Sequence, residues 1–329
     1  MSAAPMVYGD ITPRTAAHAV VKMLTRGIPY LVLEKFGQTY VMPNRSTKVA
    51  KFRRYNALPL ATTPLIEGVT PGGSRVTVTD VTATLQQFGD FVPFSDVIED
   101  THEDPFLQQL TEVLGEQAAQ TVETLRYNVV KAGTNVFVAN GSVRTDVNTP
   151  LTLALQRKAT RALDRQNAKQ ITSVVSSTPN FRTEPVESAY IGLVHPDLSN
   201  DIRNITGFIS TKQYGTVTPF ANELGAVENV RYLKSTIFVS FPNAGAASTT
   251  MISTGGTLAD VYPVLYLAKD AYGIVPLKGK DSLAIMVVNP KPAAGDPLGQ
   301  RGTAGWKTMQ TTVILNDAWM VRAEVAATN

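Results

Sequence analysis

The residues that could do chemistry are few and badly spaced for it. There is no cysteine, so thiolate metal sites, disulfides and thiol nucleophiles are all excluded. Only three histidines occur, His18, His102 and His195. His102 sits in Thr101-His102-Glu103-Asp104-Pro105 and begins like a zincin helix, but position 106 is Phe where the second ligand belongs. His195 precedes Pro196 and reads as a turn residue at a strand end rather than a general base. Gly273 to Asp281 approaches a phosphate loop through Gly279-Lys280. It is one residue too long, and Asp281 stands where a magnesium-binding hydroxyl is needed. Neither a Gly-x-Ser-x-Gly elbow nor a dinucleotide glycine fingerprint is present. No cofactor is expected, and an enzyme is the least supported class.

Charge is arranged more tellingly. Arg45, Lys48, Lys51, Arg53 and Arg54 cluster in a stretch with no acid between Glu34 and Glu67. Asp90, Asp96, Glu99, Asp100, Glu103, Asp104, Glu112, Glu116 and Glu123 follow, with no Lys or Arg from Val76 to Leu125. The basic run could track a nucleic-acid strand, with Phe52 and Tyr55 for stacking. The acidic run could hold a hard cation, although the calcium-loop glycine is missing. Both could be solvated faces. The reading ranked first joins them: Lys48, Lys51, Arg53 and Arg54 of one copy dock against Asp96, Glu99, Asp100, Glu103, Glu112 and Glu116 of the next. Complementary charge of this kind sets register and orientation.

The elements that must carry these runs are legible. Lys48 to Tyr55 and Arg75 to Leu85 read as two long strands around a Pro- and Gly-rich loop. Their apolar content is thin, and a lone hairpin is marginal in water, so it leans on a partner. Asp104 as N-cap, Pro105 at the first position and Gly133 as C-terminal stop bracket a long helix. Leu107, Leu110, Leu114, Ala118, Val122, Leu125 and Val129 recur at three and four along it. Its length, about 42 Å at 1.5 Å per residue, makes it a beam.

Residues 150–290 read as an α/β region. A helix runs from Pro150 to Thr172; strands lie at Tyr190 to Val194, Val227 to Tyr232, Thr236 to Phe241, Val261 to Ala268 and Leu283 to Val288. Trp306 to Leu315 and Ala318 to Val325 are expected to close the chain as a hairpin about Asn316-Asp317. Residues 1–40 form an irregular arm, with a short helical candidate at 15–26, that packs on neighbours.

Composition agrees with extensive contact. Charged residues make up 17%, against about 25% in typical soluble domains, while 43% are hydrophobic and the net charge is only +3. The longest uncharged stretch, Ser235 to Ala259, is broken by Pro and Gly, so it is no membrane span, and the N-terminus lacks a signal-peptide pattern.

At this point several segments become recognisable. Asn56-Ala57-Leu58-Pro59-Leu60-Ala61-Thr62-Thr63-Pro64-Leu65-Ile66-Glu67-Gly68-Val69-Thr70-Pro71 resembles the family of major capsid proteins that includes that of the tailed phage N4. So do Asp96 to Pro105, Leu114 to Ala119 and Asp296 to Lys307; the resemblance spans about residues 45–325. It implies an α+β chain of the HK97-type capsid fold: an N-terminal arm (1–40), an E-loop β-hairpin (41–92), a peripheral domain (93–149 plus 296–329) with a spine helix at about 105–132, and an axial α/β domain (150–295). It also implies a structural protein that assembles as hexamers and pentamers into an icosahedral shell around double-stranded DNA. The implied partners are other copies of itself, a scaffolding protein, a portal, a decoration protein and non-specifically held DNA on the inner face. Assembly would occur in the host bacterial cytoplasm, with an arm that is not shortened. A Lys–Asn cross-link, known for some capsids of this fold, has no support in the sequence. An encapsulin-like nanocompartment and a DNA-binding module are the competing classes.

Overall fold

The computed structural model describes residues 31–70, 72–101, 106–175, 183–215, 218–278, 283–292 and 295–329. The helical candidate at 15–26, the Asp104-Pro105 start signal and the Gly279-Lys280 pair lie outside these residues.

The chain first forms β1 (Gln38–Thr39) and then a two-stranded hairpin, β2 (Val49–Tyr55) against β3 (Val78–Thr84). It continues into β4 (Gln86–Ser95), α1 (Asp96–Thr101), the long α2 (Phe106–Lys131), β5 (Val136–Val138) and α3 (Leu153–Arg165). After these come β6 (Ile171–Val175), β7 (Thr183–Val194), α4 (Ser199–Arg203), β8 (Phe208–Ser210), β9 (Glu223–Val227) and β10 (Val230–Lys234). The last strands are β11 (Val261–Leu267), β12 (Tyr272–Pro276), β13 (Leu283–Val288), β14 (Arg301–Ile314) and β15 (Met320–Ala326).

Two sheets divide the work. In one, β14 pairs antiparallel with β4, β13 and β12, and β1 adds to β12 in parallel. In the other the order is β5-β15-β11-β7-β10-β9-β8, with β6 also on β7. All seven residues of β11 are buried. The period of two explains why: Tyr262, Val264 and Tyr266 pack with Leu155, Ala159 and Leu163 of α3, while Leu265 and Leu267 pack with Tyr127 and Val130 of α2. Covered on both faces, such a strand reads as continuous apolar sequence.

The helix α2 spans about 39 Å at 1.5 Å per residue and joins the two sheets. Its first half packs Leu110, Leu114 and Ala118 on Phe94, Ala304 and Trp306 of the five-stranded sheet; its last turns enter the core of the other. The buried face drifts from the Leu and Val stripe toward Arg126, Tyr127 and Val130, leaving Leu125 and Val129 half-buried. Gly133 does not end the helix through a left-handed backbone. A Cβ there would lie 2.9 Å from Met320 Cε and 3.0 Å from Asp317 Oδ1, so a larger residue would have to push these side chains aside.

Four local expectations are corrected. The strands flanking Asn316-Asp317 do not pair: β14 belongs to the five-stranded sheet and β15 lies between β5 and β11. A strand as buried as β15 needs a neighbour on each edge, which a closing hairpin would not supply. The helix expected to reach Thr172 stops at Arg165, because Asn167 takes a positive φ of 50° and turns the chain into β6. The strand read at Val227 to Tyr232 is a hairpin whose turn is made by Glu228, at φ 53°. Residues 236–240 form turns, with a single bridge from Phe241 to Val261.

Candidate assembly surface

The hairpin is anchored at its base and bare beyond it. Met42, Ala50, Ala83, Leu85 and Val275 form a small core there, with Phe52, Leu277, Met309 and Val313 against it. Phe52 also meets Gly273 and stands edge-on to Tyr40, ring centroids 6.1 Å apart. The paired strands reach out to Asn56, whose N–H donates to Thr77 O at 2.9 Å and whose Nδ2 donates to Thr77 Oγ1 at 3.1 Å. Past this point the chain carries Leu60 at 88% and Leu65 at 78% exposed. Neither side chain joins any of the buried apolar clusters among the described residues.

A second open apolar surface lies on the five-stranded sheet, on the face turned away from α2. Met286, Gly305 and Phe91 are cross-strand neighbours in one row, and Val288, Thr303 and Pro93 in the next. Phe91, Met286, Val288, Thr303 and Gly305, with Gly89 and Lys307, line a groove of about 490 Å³. Phe91 and Val288 are 59% and 58% exposed. Gly305 sets the groove floor: a Cβ there would come within 2.7 Å of Phe91 Cβ. The opposite face is fixed to α2, where Trp306 Nε1 donates to Gln117 Oε1 at 2.9 Å and Gln117 Nε2 donates to Asp90 Oδ2 at 2.7 Å.

The charged residues singled out in the sequence fall unevenly around these surfaces. Lys51 and Arg53 share one face of β2 and Arg54 takes the other, while Lys48 immediately precedes the strand. Arg53 is spent within the hairpin: Nε and Nη2 donate to the two carboxylate oxygens of Asp80 at 2.8 and 2.9 Å. The Arg53 guanidinium holds the Asp80 carboxyl below the usual carboxylate range. Lys48, Lys51 and Arg54 make no ion pair among the described residues.

On the acidic side Asp96 opens α1, with Oδ1 accepting from Val97 N at 2.9 Å. Glu99 and Asp100 are on α1; Glu103 lies outside the described residues. Glu116 is half-buried on α2 and accepts from Gln120 at 3.4 Å. Glu112 departs from the expectation of a solvated acidic face, being 2% exposed and turned into the subunit. Glu123, part of the same acidic run, is buried too and accepts two backbone N–H groups. Spacing of charges along α2 does not reveal this, because the helix touches a different sheet at each end. No ion pair joins the basic and acidic groups within the chain among the described residues.

The histidines take no catalytic arrangement that the structure describes. His195 caps a short 3-10 turn, its Nδ1 accepting from Asp197 N at 3.3 Å, and it stacks at 5.5 Å on Tyr262. Burial lowers its pKa. Among the described residues no group of three or more His, Asp or Glu is arranged to hold a metal ion. Among the described residues no helix is long and apolar enough to cross a membrane.

A cored α+β body, a long bridging helix and a projecting hairpin make this an HK97-type capsid fold, the architecture of a phage shell subunit. The capsid protein of Ralstonia phage GP4 superposes with a TM-score of 0.67 at 12% identity, covering 100% of this chain and 99% of that one. That of cyanophage Pam1 gives 0.63 at 13% over 100% of both chains, and that of cyanophage P-SCSP1u gives 0.62 at 15% over 98% and 93%. No curated protein matches by sequence. The family model for phage capsid proteins matches residues 78–323, and the chain belongs to that family. It is a structural shell protein of the phage capsid, and nothing among the matches favours a cellular nanocompartment.

Proposed function

We propose that this chain is a major capsid protein whose copies associate as hexamers and pentamers and close an icosahedral shell around double-stranded DNA. The observation that carries this is the presence of two uncovered apolar surfaces on one chain. The hairpin beyond Asn56 exposes Leu58, Leu60, Leu65 and Ile66, and the five-stranded sheet exposes Phe91, Met286 and Val288. Fully burying one Leu or Met side chain contributes about 1.5–3 kcal/mol. Neither surface finds that burial among the described residues, and in this reading each serves a neighbour. Many modest contacts of this kind, repeated by symmetry, close a shell.

In this reading residues 1–40 are the arm, 41–92 the E-loop, 93–149 with 296–329 the peripheral domain and 150–295 the axial domain. The sheets trade strands across those lines: β12 and β13 join β14, while β5 and β15 join β11. The E-loop lies over the peripheral sheet of an adjacent copy. Lys48, Lys51, Arg53 and Arg54 then approach Asp96, Glu99, Asp100, Glu103 and Glu116, with Arg53 contributing least because Asp80 already neutralises it. The chain acts mechanically and catalyses nothing. A scaffolding protein, a portal and a decoration protein are its further partners, packaged DNA touches the inner face without sequence preference, and assembly takes place in the host cytoplasm.

Electron microscopy of the purified protein under assembly conditions tests the reading. Closed shells are expected, with the 56–70 segment of one copy over the Phe91 groove of the next. A protein that stays monomeric even with its scaffolding partner present overturns this reading. Basic and acidic groups separated by more than about 10 Å, a Debye length at 0.1 M salt, overturn the charge pairing alone.

A further inference from the structure

A buried carboxylate fastens the chain where its N-terminal segment meets the body. Glu123, on α2, is 0% exposed, and its Oε1 accepts from Val32 N at 3.0 Å and Leu33 N at 2.7 Å. Those donors open the 3-10 turn Leu33–Lys35, where the first N–H groups have no partner inside the turn itself. The turn is wedged between three elements. Val32, Leu33 and Phe36 pack with Tyr127, Val130, Tyr272 and Ile274. Tyr272 Oη donates to Leu33 O, and Phe36 stands edge-on to Phe220 with centroids 5.4 Å apart.

Compensation of the carboxylate is incomplete. Its Oε2 accepts no hydrogen bond among the described residues, and Arg126 Nη1 lies 3.9 Å away. Arg126 is drawn elsewhere: Nη1 is 3.5 Å from Glu34 Oε2, and Nη2 donates to Gln310 Oε1 at 3.1 Å. Among the described residues, the charged and titratable groups acting on Glu123 are Arg126 on its own helix, Glu34 on the turn and Tyr272 on β12.

We propose that Glu123 is a proton-operated clasp, holding residues 32–36 against α2 more firmly when its carboxyl is neutral than when it is charged. The root of the N-terminal segment is thereby locked in mild acid and loosened as the medium turns alkaline. Burial pushes the Glu123 carboxyl up to about 7 from 4.5; Arg126 and the two backbone N–H groups pull the other way without cancelling it. Once the turn lifts, Glu123 meets water and titrates near the ordinary value of about 4.3. A group that binds its proton more tightly in the clasped state favours that state at low pH. The advantage is complete below the ordinary carboxylate value, shrinks as pH rises toward about 7 and is absent above it.

Hydrogen exchange at amides 32–36 of the full chain, free and assembled, tests this after correction for intrinsic rates. Protection is expected to fall by up to about tenfold per pH unit between pH 5 and 7 and to level off above that. Glu123→Gln keeps the Oε1 acceptor and removes the titration, so protection should become flat with pH and exceed the native level at pH 8. A flat native profile, or a slope that survives in Glu123→Gln, overturns the clasp. Should that variant fail to fold, Glu34→Gln decides: it removes a negative neighbour that raises the Glu123 pKa. The profile should then keep its slope and move to lower pH; no movement, or movement upward, overturns the clasp.

Discussion

Strand β11 and strand β2 have the same length and opposite fates. Every residue of β11 is buried, with α3 on one side and α2 on the other. In β2 only Ala50 is buried and Phe52 half-buried, and both lie at the anchored end. The first strand spends its apolar surface inside the subunit. The hairpin leaves its own exposed among the described residues. Stability of the fold and stability of the assembly thus reside in different residues, and substitutions should separate them.

The largest effect is expected in the body. Arg231 and Glu223 form a buried pair at 2.6 Å, with Arg231 stacked at 3.9 Å on Phe220. Arg231→Ala leaves the buried Glu223 carboxylate without its cation, held among the described residues only by Tyr214 Oη and Phe220 N, and breaking such a pair costs about 3–5 kcal/mol. Urea unfolding of the unassembled subunit should show a loss of that order. A loss under about 1 kcal/mol, typical of surface pairs, would erase the distinction between body and hairpin. Leu265→Ala in β11 should follow at about 2–5 kcal/mol in the same measurement, since its side chain is fully enclosed.

At the hairpin the ranking inverts. Leu60→Ser combined with Leu65→Ser should leave subunit unfolding within about 0.5 kcal/mol, because both side chains already face water. Assembly, followed by light scattering or sedimentation, should nonetheless fail or need a much higher protein concentration. Val288→Lys in the groove should behave alike. Normal shells from both variants would break the comparison from the other side.

The sequence exposed this contrast only in part. The repeat of Leu110, Leu114, Ala118 and Val122 located α2 to within a residue at its end, since a 3.6-residue period is local information. The alternating Val and Thr of β3 and the basic run of β2 located the hairpin for the same reason. Pairings between distant segments were not readable. Asn316-Asp317 signals a turn but not whether the strands on either side meet, and here they enter different sheets. Glu112 and Glu123 looked like part of a solvated acidic face, and only the second contact of α2 puts them inside. Lys51 and Arg54 looked equivalent to Arg53, whereas the register setting Arg53 opposite Asp80 makes the latter a neutral pair.

That register yields the smallest and most discriminating prediction. Lys51→Gln, Arg54→Gln and Arg53→Gln each remove one positive charge and should unfold alike. If only net charge guided docking, the three would slow assembly equally. Contact with a neighbour's acids depends instead on unpaired cations near the surface, where interactions beyond about 10 Å are screened at 0.1 M salt. Lys51→Gln and Arg54→Gln should therefore lower the assembly rate several-fold at low salt and lose that difference as salt rises. Arg53→Gln should act differently: it uncovers the Asp80 carboxylate, which then repels the same acids. Adding Asp80→Asn to it should restore the native rate, whereas adding Asp80→Asn to Lys51→Gln should leave Arg53 unpaired and free to take over the contact. Native rates for all three single variants would mean that the hairpin docks through its apolar tip alone.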